Sequence, residues 1–319
     1  MPQPTSSDVH VDAILSNISV AFLQQEVSFI AGRVFPLVPV EKQSDKFFTY
    51  TKADWFRDEA KKRAAGSESA GSGYGISTDN YFCDKFALHK DVDDDTVANS
   101  DRPLDPYGDA TRFITLLCLL RREIQWAADF FTPGVWTTDK VGTTDFTKWS
   151  DYAASDPITD IEAAKESILG ITGVEPNKLV LGYQVWRILK NHPDIVDRYK
   201  HVSSDSITPL MVARLFEIDE LLVAKAIKNT AAEGATASFA FTAGKNALLC
   251  YSAPSPGILA PSGGYVFSWR GVSGGLGFDI GIKRFRMDEL ESDRIEGTVA
   301  FDCKKIAADL GYFFSAAVA

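Results

Sequence analysis

The chain has 319 residues, 45% of them hydrophobic and 24% charged, which fits an ordinary folded protein of one large or two medium domains. Its 33 Lys and Arg against 43 Asp and Glu leave a net charge of −10, so the basic stripe that a nucleic-acid-binding surface needs is absent. The four cysteines (Cys83, Cys118, Cys250, Cys303) form no CxxC pair, which argues against a zinc site and a disulfide framework, and no apolar run approaches the roughly 18 residues of a membrane span.

In chain order, residues 1–10 are polar and proline-bearing and read as an extended arm without the charged start of a secretion signal, since the first basic residue is Arg33. From Val11 to Phe29, Ile14, Leu15, Ile18 and Phe22 mark a short amphipathic helix. Pro36 and Pro39 in RVFPLVPVEKQS forbid helix and favour an extended segment. Lys46–Lys52 (KFFTYTK) is aromatic and β-branched, a strand. Tyr74–His89 reads as another, with Phe82, Phe86 and Leu88 on one face. Between them lies WFRDEAKKRAAGSESAGSG, so the pair forms a long hairpin with a soluble tip of about twenty residues. A two-stranded hairpin is marginal in water and has to pack on its own body or on a neighbour.

Asp91–Asp95 (DVDDD) closes the hairpin and leads into a long helix between Pro103 and Pro133. Asp105 is its expected capping side chain and Pro106 its first-turn proline. Phe113, Leu116, Leu117, Leu120, Ile124, Ala127, Ala128 and Phe131 recur at three- and four-residue steps as one apolar face. Ile114, Cys118, Leu119 and Trp126 fall off it. Thr132-Pro133-Gly134 stops the helix, which at ~1.5 Å per residue is about 37 Å long.

A Trp- and Thr-rich link follows, and from Asp156 helices and strands alternate. PITDIEAAKESILGITG is a helix and NKLVLG a strand. YQVWRILKNHPDIVDRY is helical with a break at Pro193, ITPLMVARLFEI is a helix and DELLVAKAIKN a strand. This stretch, roughly 152–255, reads as an α/β module. NALLCYS, YVFSWR, FDIGIKRFRM and RIEGTVAFDCKKIA are strands. The terminal DLGYFFSAAVA, uncharged after Asp309, is expected to tuck against sheet.

No catalytic constellation emerges. Gly271-Val-Ser273-Gly-Gly275 matches the hydrolase elbow, but a strand pattern follows where a helix is required, and no histidine occurs after His201. Asp91, Asp93 and Asp95 imitate a calcium loop, yet Thr96 and Arg102 stand where glycine and glutamate are needed; a solvated acidic turn is the better reading. Gly244-Lys245-Asn246 lacks the rest of a phosphate loop. His10, His89, His192 and His201 show no metal spacing and read as surface or capping residues. The expectation is a protein that is not an enzyme, with no cofactor and no metal.

The order of arm, long hairpin with a charged tip, long helix, α/β module and returning strands resembles the major capsid protein of tailed bacteriophages, a fold shared with encapsulins. IAGRVFPLVPVEKQSDKFFTY, KADWFRDEAKKRAAGSESAGSGYGIS, FALHKDVDDD and TRFITLLCLLRREIQWAADFF carry the likeness, which spans essentially the whole chain. The resemblance implies an α+β capsid fold divided into an N-terminal arm (1–43), an E-loop hairpin (44–97), a P-domain with the spine helix (98–151), an apical A-domain (152–261) and returning strands of both domains (262–319). It implies a structural subunit that self-assembles as pentamers and hexamers into an icosahedral shell around double-stranded DNA. Virion localisation follows, with assembly in the host cytoplasm. Arg57, Asp58, Glu59, Lys61, Lys62 and Arg63 at the E-loop tip become the candidate inter-subunit contacts.

Some members of that family cross-link through an E-loop lysine and a P-domain asparagine. Lys61 and Lys62 sit near the right place, but Asn246 is the sole asparagine after Asn229 and does not lie in the terminal strands, so no cross-linking residue is carried over. The chain starts at the arm without a long scaffolding segment, so a separate scaffolding protein is expected, with a portal and an optional cement protein as further partners. Neither sequence-specific nucleic-acid binding nor membrane contact is expected. Two other readings stay open: an encapsulin-like compartment shell around a cargo enzyme, and an unrecognised hydrolase.

Overall fold

The computed structural model describes residues 24–50, 52–100, 104–199, 207–257, 259–271 and 280–319. The expected arm over 1–10, most of the expected helix over 11–29, and Ser273 of the elbow motif lie outside them.

The chain enters through a 3-10 turn at Glu26–Ser28 and a short helix α1 (Ala31–Val34). The two prolines hold the next segment extended as β1 (Leu37–Val40). β2 (Ser44–Tyr50), a helical turn α2 (Lys52–Trp55) and β3 (Ile76–Phe82) form the hairpin. The expected single strand over Tyr74–His89 is in fact two. It breaks at Cys83, whose N–H donates to Gln43 O (2.9 Å), and β4 (Asp84–Asp93) leaves the hairpin to pair with another sheet. α3 (Asp94–Ala98) leads to the long helix α4 (Pro106–Phe130).

After β5 (Thr138–Val141) come α5 (Pro157–Thr172), β6 (Lys178–Gly182), α6 (Tyr183–Leu189), α7 (Pro193–Tyr199) and α8 (Pro209–Leu215). Asp156 caps α5 by accepting from Ile158 N and Thr159 N, and Gly173 closes it in the left-handed conformation. DELLVAKAIKN, expected as one strand, is β7 (Glu220–Ala224) and β8 (Ile227–Asn229), the latter hairpinned with β9 (Phe239–Phe241). β10 (Ala247–Cys250), β11 (Gly264–Trp269), β12 (Gly281–Met287), β13 (Ser292–Lys305) and β14 (Gly311–Ser315) complete the chain.

Two five-stranded sheets result. In one, the 14-residue β13 is the axis, flanked by β4 on one edge and by β12 and then β11 on the other, with β1 added parallel to β11. The other has the order β5-β14-β10-β6-β7, so the α/β module takes in Thr138–Val141 before it and Gly311–Ser315 after it. β6, β7, β10 and β14 are apolar without alternation because both faces are covered, while β5 at the edge stays polar. Leu179, Leu181, Leu249 and Phe314 face α5 and α6, while Val180, Leu222, Leu248 and Phe313 face the end of α4 and the α1 segment.

The helix α4 exists as expected, but two of its details differ. Asp105 occupies the cap position, but its side chain accepts no hydrogen bond from the first turn; only its carbonyl does, from Asp109 N (2.9 Å). The buried stripe is Ala110, Ile114, Cys118, Glu123, Trp126, Ala127 and Phe130; Phe113 and Ala128 of the expected face are exposed, and Leu116, Leu117, Leu120 and Ile124 are half-buried. The reason is close approach. β13 passes under the helix at Gly297, where a Cβ would overlap Ile114 Cγ2, so the bare strand backbone seats Ile114 and Cys118 on the contact line and the leucines fall to its flanks.

Gly297→Ala must therefore push helix and strand apart. It is expected to lose about 1–3 kcal/mol of stability, read as a lower urea midpoint, and adding Ile114→Ala should cost less than the two single losses summed.

Candidate functional site

The hairpin β2–β3 is largely exposed along both of its strands. Pairing of Ser44 with Phe82 through Tyr50 with Ile76 puts alternate side chains on opposite faces. Phe47 and Tyr81 point one way, onto Phe267 of β11, with ring centroids 5.6 and 4.6 Å apart. The opposite face carries Phe48, Ile76 and Phe82, which remain 63%, 55% and 52% exposed. Lys304–Asp79 (3.3 Å) and Phe82 N–H to Asp302 (3.0 Å) tie the ribbon to β13.

Where the hairpin opens into its loop, Tyr50, Trp55 and Tyr74 form an aromatic collar with centroids 5.4–6.1 Å apart, and Asp54 accepts from Gly75 N (2.9 Å). Phe56 rests on Gly173, and Lys52 pairs with Asp309. That lysine and Thr137 hold the Asp309 carboxyl below its ordinary range. The root of the loop is thus anchored to the α/β module of its own chain.

Beyond Phe56 there is no regular structure up to Gly75. Arg57, Asp58, Lys61, Lys62 and Arg63 are exposed and Glu59 is half-buried, so the loop does bring the six candidate residues together on one projecting tip. Arg57 turns back to Glu59 (3.1 Å) and Asp54 (3.6 Å), and Arg63 Nε donates to Ser67 O. Lys61, Lys62 and Asp58 make no ion pair with another described residue. Asn246 is committed to the fold: its side-chain oxygen accepts from Ala316 N (2.9 Å).

The remaining motifs resolve into structure. Asp91 forms a two-pronged pair with Arg294 (2.7 and 2.8 Å), and Asp94 another with Arg286 (2.6 Å each). Among the described residues no group of three or more His, Cys, Asp or Glu is placed to hold a metal ion. Burial pushes the Cys83 and Cys250 thiols up to about 12.

One constellation was not singled out from sequence. Ser155 Oγ lies 3.0 Å from His192 Nε2, and His192 Nδ1 lies 3.4 Å from Asp194 Oδ2. His192 is fully buried, a correction to its reading as a surface residue, although its carbonyl does cap α7 by accepting from Ile195 N and Val196 N. The trio resembles a nucleophilic triad in distance but not in proton placement. Ser155 commits its hydroxyl proton to Asp151 O (2.6 Å), so Nε2–H must donate to Oγ, and the Nδ1 lone pair accepts from Asp194 N (3.4 Å). A general base needs its lone pair on the serine side. What the trio does is satisfy buried polar groups.

Burial lowers the His192 pKa below its ordinary value, partly offset by Asp194 and Asp156. The unfolded chain therefore takes up a proton first, and this histidine's contribution to stability is lost as pH falls below about 6.5. The urea midpoint of His192→Gln should fall less steeply than wild type between pH 6.5 and 5.

No family model matches the sequence. The chain is similar to the major capsid protein of Pseudomonas phage JBD67, 28% identical over 326 residues and 97% of each chain. It is 25% identical over 217 residues to the major capsid protein of Burkholderia phage BcepMu, covering 68% of this chain and 69% of that one. Among solved structures, a phage-related protein from Bordetella bronchiseptica superposes with a TM-score of 0.70 at 23% identity, over 92% of this chain and 94% of that one. The capsid of cyanophage P-SCSP1u gives 0.62 at 12% identity, over 97% and 93%. An encapsulin from Synechococcus elongatus gives 0.53 at 10% identity, over 95% and 93%. The architecture is the α+β fold of tailed-phage capsid proteins and encapsulins.

Proposed function

We propose that this chain is a major capsid subunit of a tailed phage, a structural protein that assembles with copies of itself into a closed shell around double-stranded DNA. The observation that carries the reading is the β2–β3 ribbon. One face is sealed on Phe267, and the other displays Phe48, Ile76 and Phe82 to solvent beside an exposed collar of Trp55 and Tyr74. Burying such side chains fully contributes about 1.5–3 kcal/mol each, so leaving them bare on a narrow projecting element makes sense where a neighbouring subunit covers them. Similarity to a phage capsid protein over 97% of both chains favours a virion over an encapsulin-like compartment, whose likeness is in fold alone.

Within this reading the α/β module, residues 152–261 with β5 and β14, is the A-domain placed around ring axes. Pentamers and hexamers use the same heterologous contacts with different closure. The E-loop tip, Arg57 to Arg63, docks on a neighbour. Scaffolding, portal and cement proteins are separate partners, and assembly takes place in the host cytoplasm. The net charge of −10 leaves little to gain from counterion release on DNA, so the genome is contained by geometry.

Phe48→Ser, Ile76→Ser and Phe82→Ser together should raise the subunit concentration needed for particles at least tenfold in light scattering. The melting midpoint should stay within a few degrees of wild type, because Phe47 and Tyr81 still hold the ribbon. Unchanged assembly overturns the proposal, and a co-purifying cargo enzyme inside the particles would redirect it to a compartment shell. Trypsin should cut at Lys61 and Lys62 in free subunits and spare them in particles; equal cutting in both states would count against docking of the tip.

A further inference from the structure

The segment from Phe29 to Phe35 lies across the molecule like a strap. Ile30, Ala31, Val34 and Phe35 are almost wholly buried. On one side Lys178 of β6 donates to Val34 O (3.1 Å), and Arg33 pairs with Glu220 (2.6 Å). On the other side a carboxylate fastens it. Glu123 of α4 accepts from Ile30 N (3.0 Å) and Ala31 N (2.8 Å), both through Oε2, and so caps α1 from outside that helix. Its relative exposure is 0%, and Oε1 has no hydrogen-bond partner.

We propose that Glu123 is a proton-sensitive buckle: neutral, it keeps the strap closed on the long helix, and when it carries charge the strap loosens so that water can reach the carboxylate. The site is built for the neutral form. A buried carboxylate with one bare oxygen lacks the solvation that ionisation requires. The charged group that acts on it is Arg122 on its own helix, whose guanidinium lies against Gly32, while Arg33 on the strap and Lys178 on β6 are turned to Glu220. Cys303 on β13 belongs to the same core, with a thiol pKa pushed well above its ordinary value.

Burial outweighs the two N–H bonds and the Arg122 charge and raises the Glu123 pKa from 4.5 to about 7. In the opened strap the group returns towards its ordinary value. The closed form therefore holds the proton between these limits, and opening becomes easier as pH rises from 4.5 to about 7, then levels off. The resulting rise in the opening equilibrium is on the order of fiftyfold between pH 5 and 8.5. The device rests on the strap and helix alone and stands whether or not the chain builds a shell.

Hydrogen exchange of the peptide covering 29–35, divided by the intrinsic chemical rate at each pH, tests it on the full chain. Wild type should lose protection on the order of fiftyfold from pH 5 to 8.5 with a midpoint near 7. Glu123→Gln, which keeps an acceptor for the two N–H groups without a charge, should show flat protection. A flat wild type overturns the proposal, and so does an equal loss in both proteins, since another group would then be titrating. A second reading needs wild type only. Trypsin cleavage after Arg33, taken relative to cleavage after Lys61 in the exposed loop, should rise across the same pH range, and a constant ratio overturns the buckle.

Discussion

The structure turns on one junction at the last turn of the long helix, where three aromatic rings meet backbone that carries no side chains. Phe130 lies 4.7 Å from Phe35 and 6.3 Å from Trp136, centroid to centroid, and Trp136 Nε1 donates to Phe130 O (2.8 Å). Opposite these rings stand Gly264 of β11, where a Cβ would come within 2.6 Å of the Phe130 ring, and Gly311 of β14, where it would overlap Trp136. β11 belongs to one sheet and β14 to the other. The rings therefore sit where both sheets, the strap and the helix come together, and the two glycines allow the backbones near enough for one continuous core. Without that contact the two sheets would have separate cores with a helix spanning the gap.

From the junction outward, burial falls in a way that suits an assembling subunit. Helix α4 seals its inner stripe on β13 but leaves its leucine flank half-covered, and the hairpin seals one face and bares the other. The loop root is anchored by Lys52–Asp309 and by Phe56 on Gly173, while everything past it is open. A fixed root with a free tip divides the entropic cost of docking. The base is already ordered, and only the tip has to lose freedom when a partner arrives.

The buried polar groups serve the same architecture. His192 and Ser155 close a hydrogen-bond chain under the α/β module, and Glu123 fastens the strap. Each has a geometry that a search for catalysis would notice, and each is explained by satisfying donors inside a core. Their titration pulls stability in opposite directions. The histidine favours higher pH through its lowered pKa, and the glutamate favours lower pH through its raised one.

The sequence by itself determined the elements whose signals are local. Aspartate and proline marked the start of α4 and Thr132-Pro133-Gly134 its end. The apolar runs of β6, β7 and β10 read as strands and the uncharged C-terminal segment as tucked against sheet, and the glycine- and serine-rich stretch marked the projecting loop. The solvent-facing position of the loop that carries the six candidate residues was legible for the same reason, as charge concentrated where no core could form. Tertiary structure alone decided which face of α4 is buried. Periodicity reports that a face exists, but the closeness of Gly297 to Ile114 chose the narrow stripe over the wide leucine one. It also decided that Tyr74–His89 splits at Cys83, because a strand's change of partner leaves no mark in alternation. His192 reads in sequence as a surface or capping residue and Glu123 gives no local signal, yet both are interior because the N–H groups and hydroxyl that satisfy them come from residues as many as 93 positions away. Such pairings are fixed only when the whole chain closes.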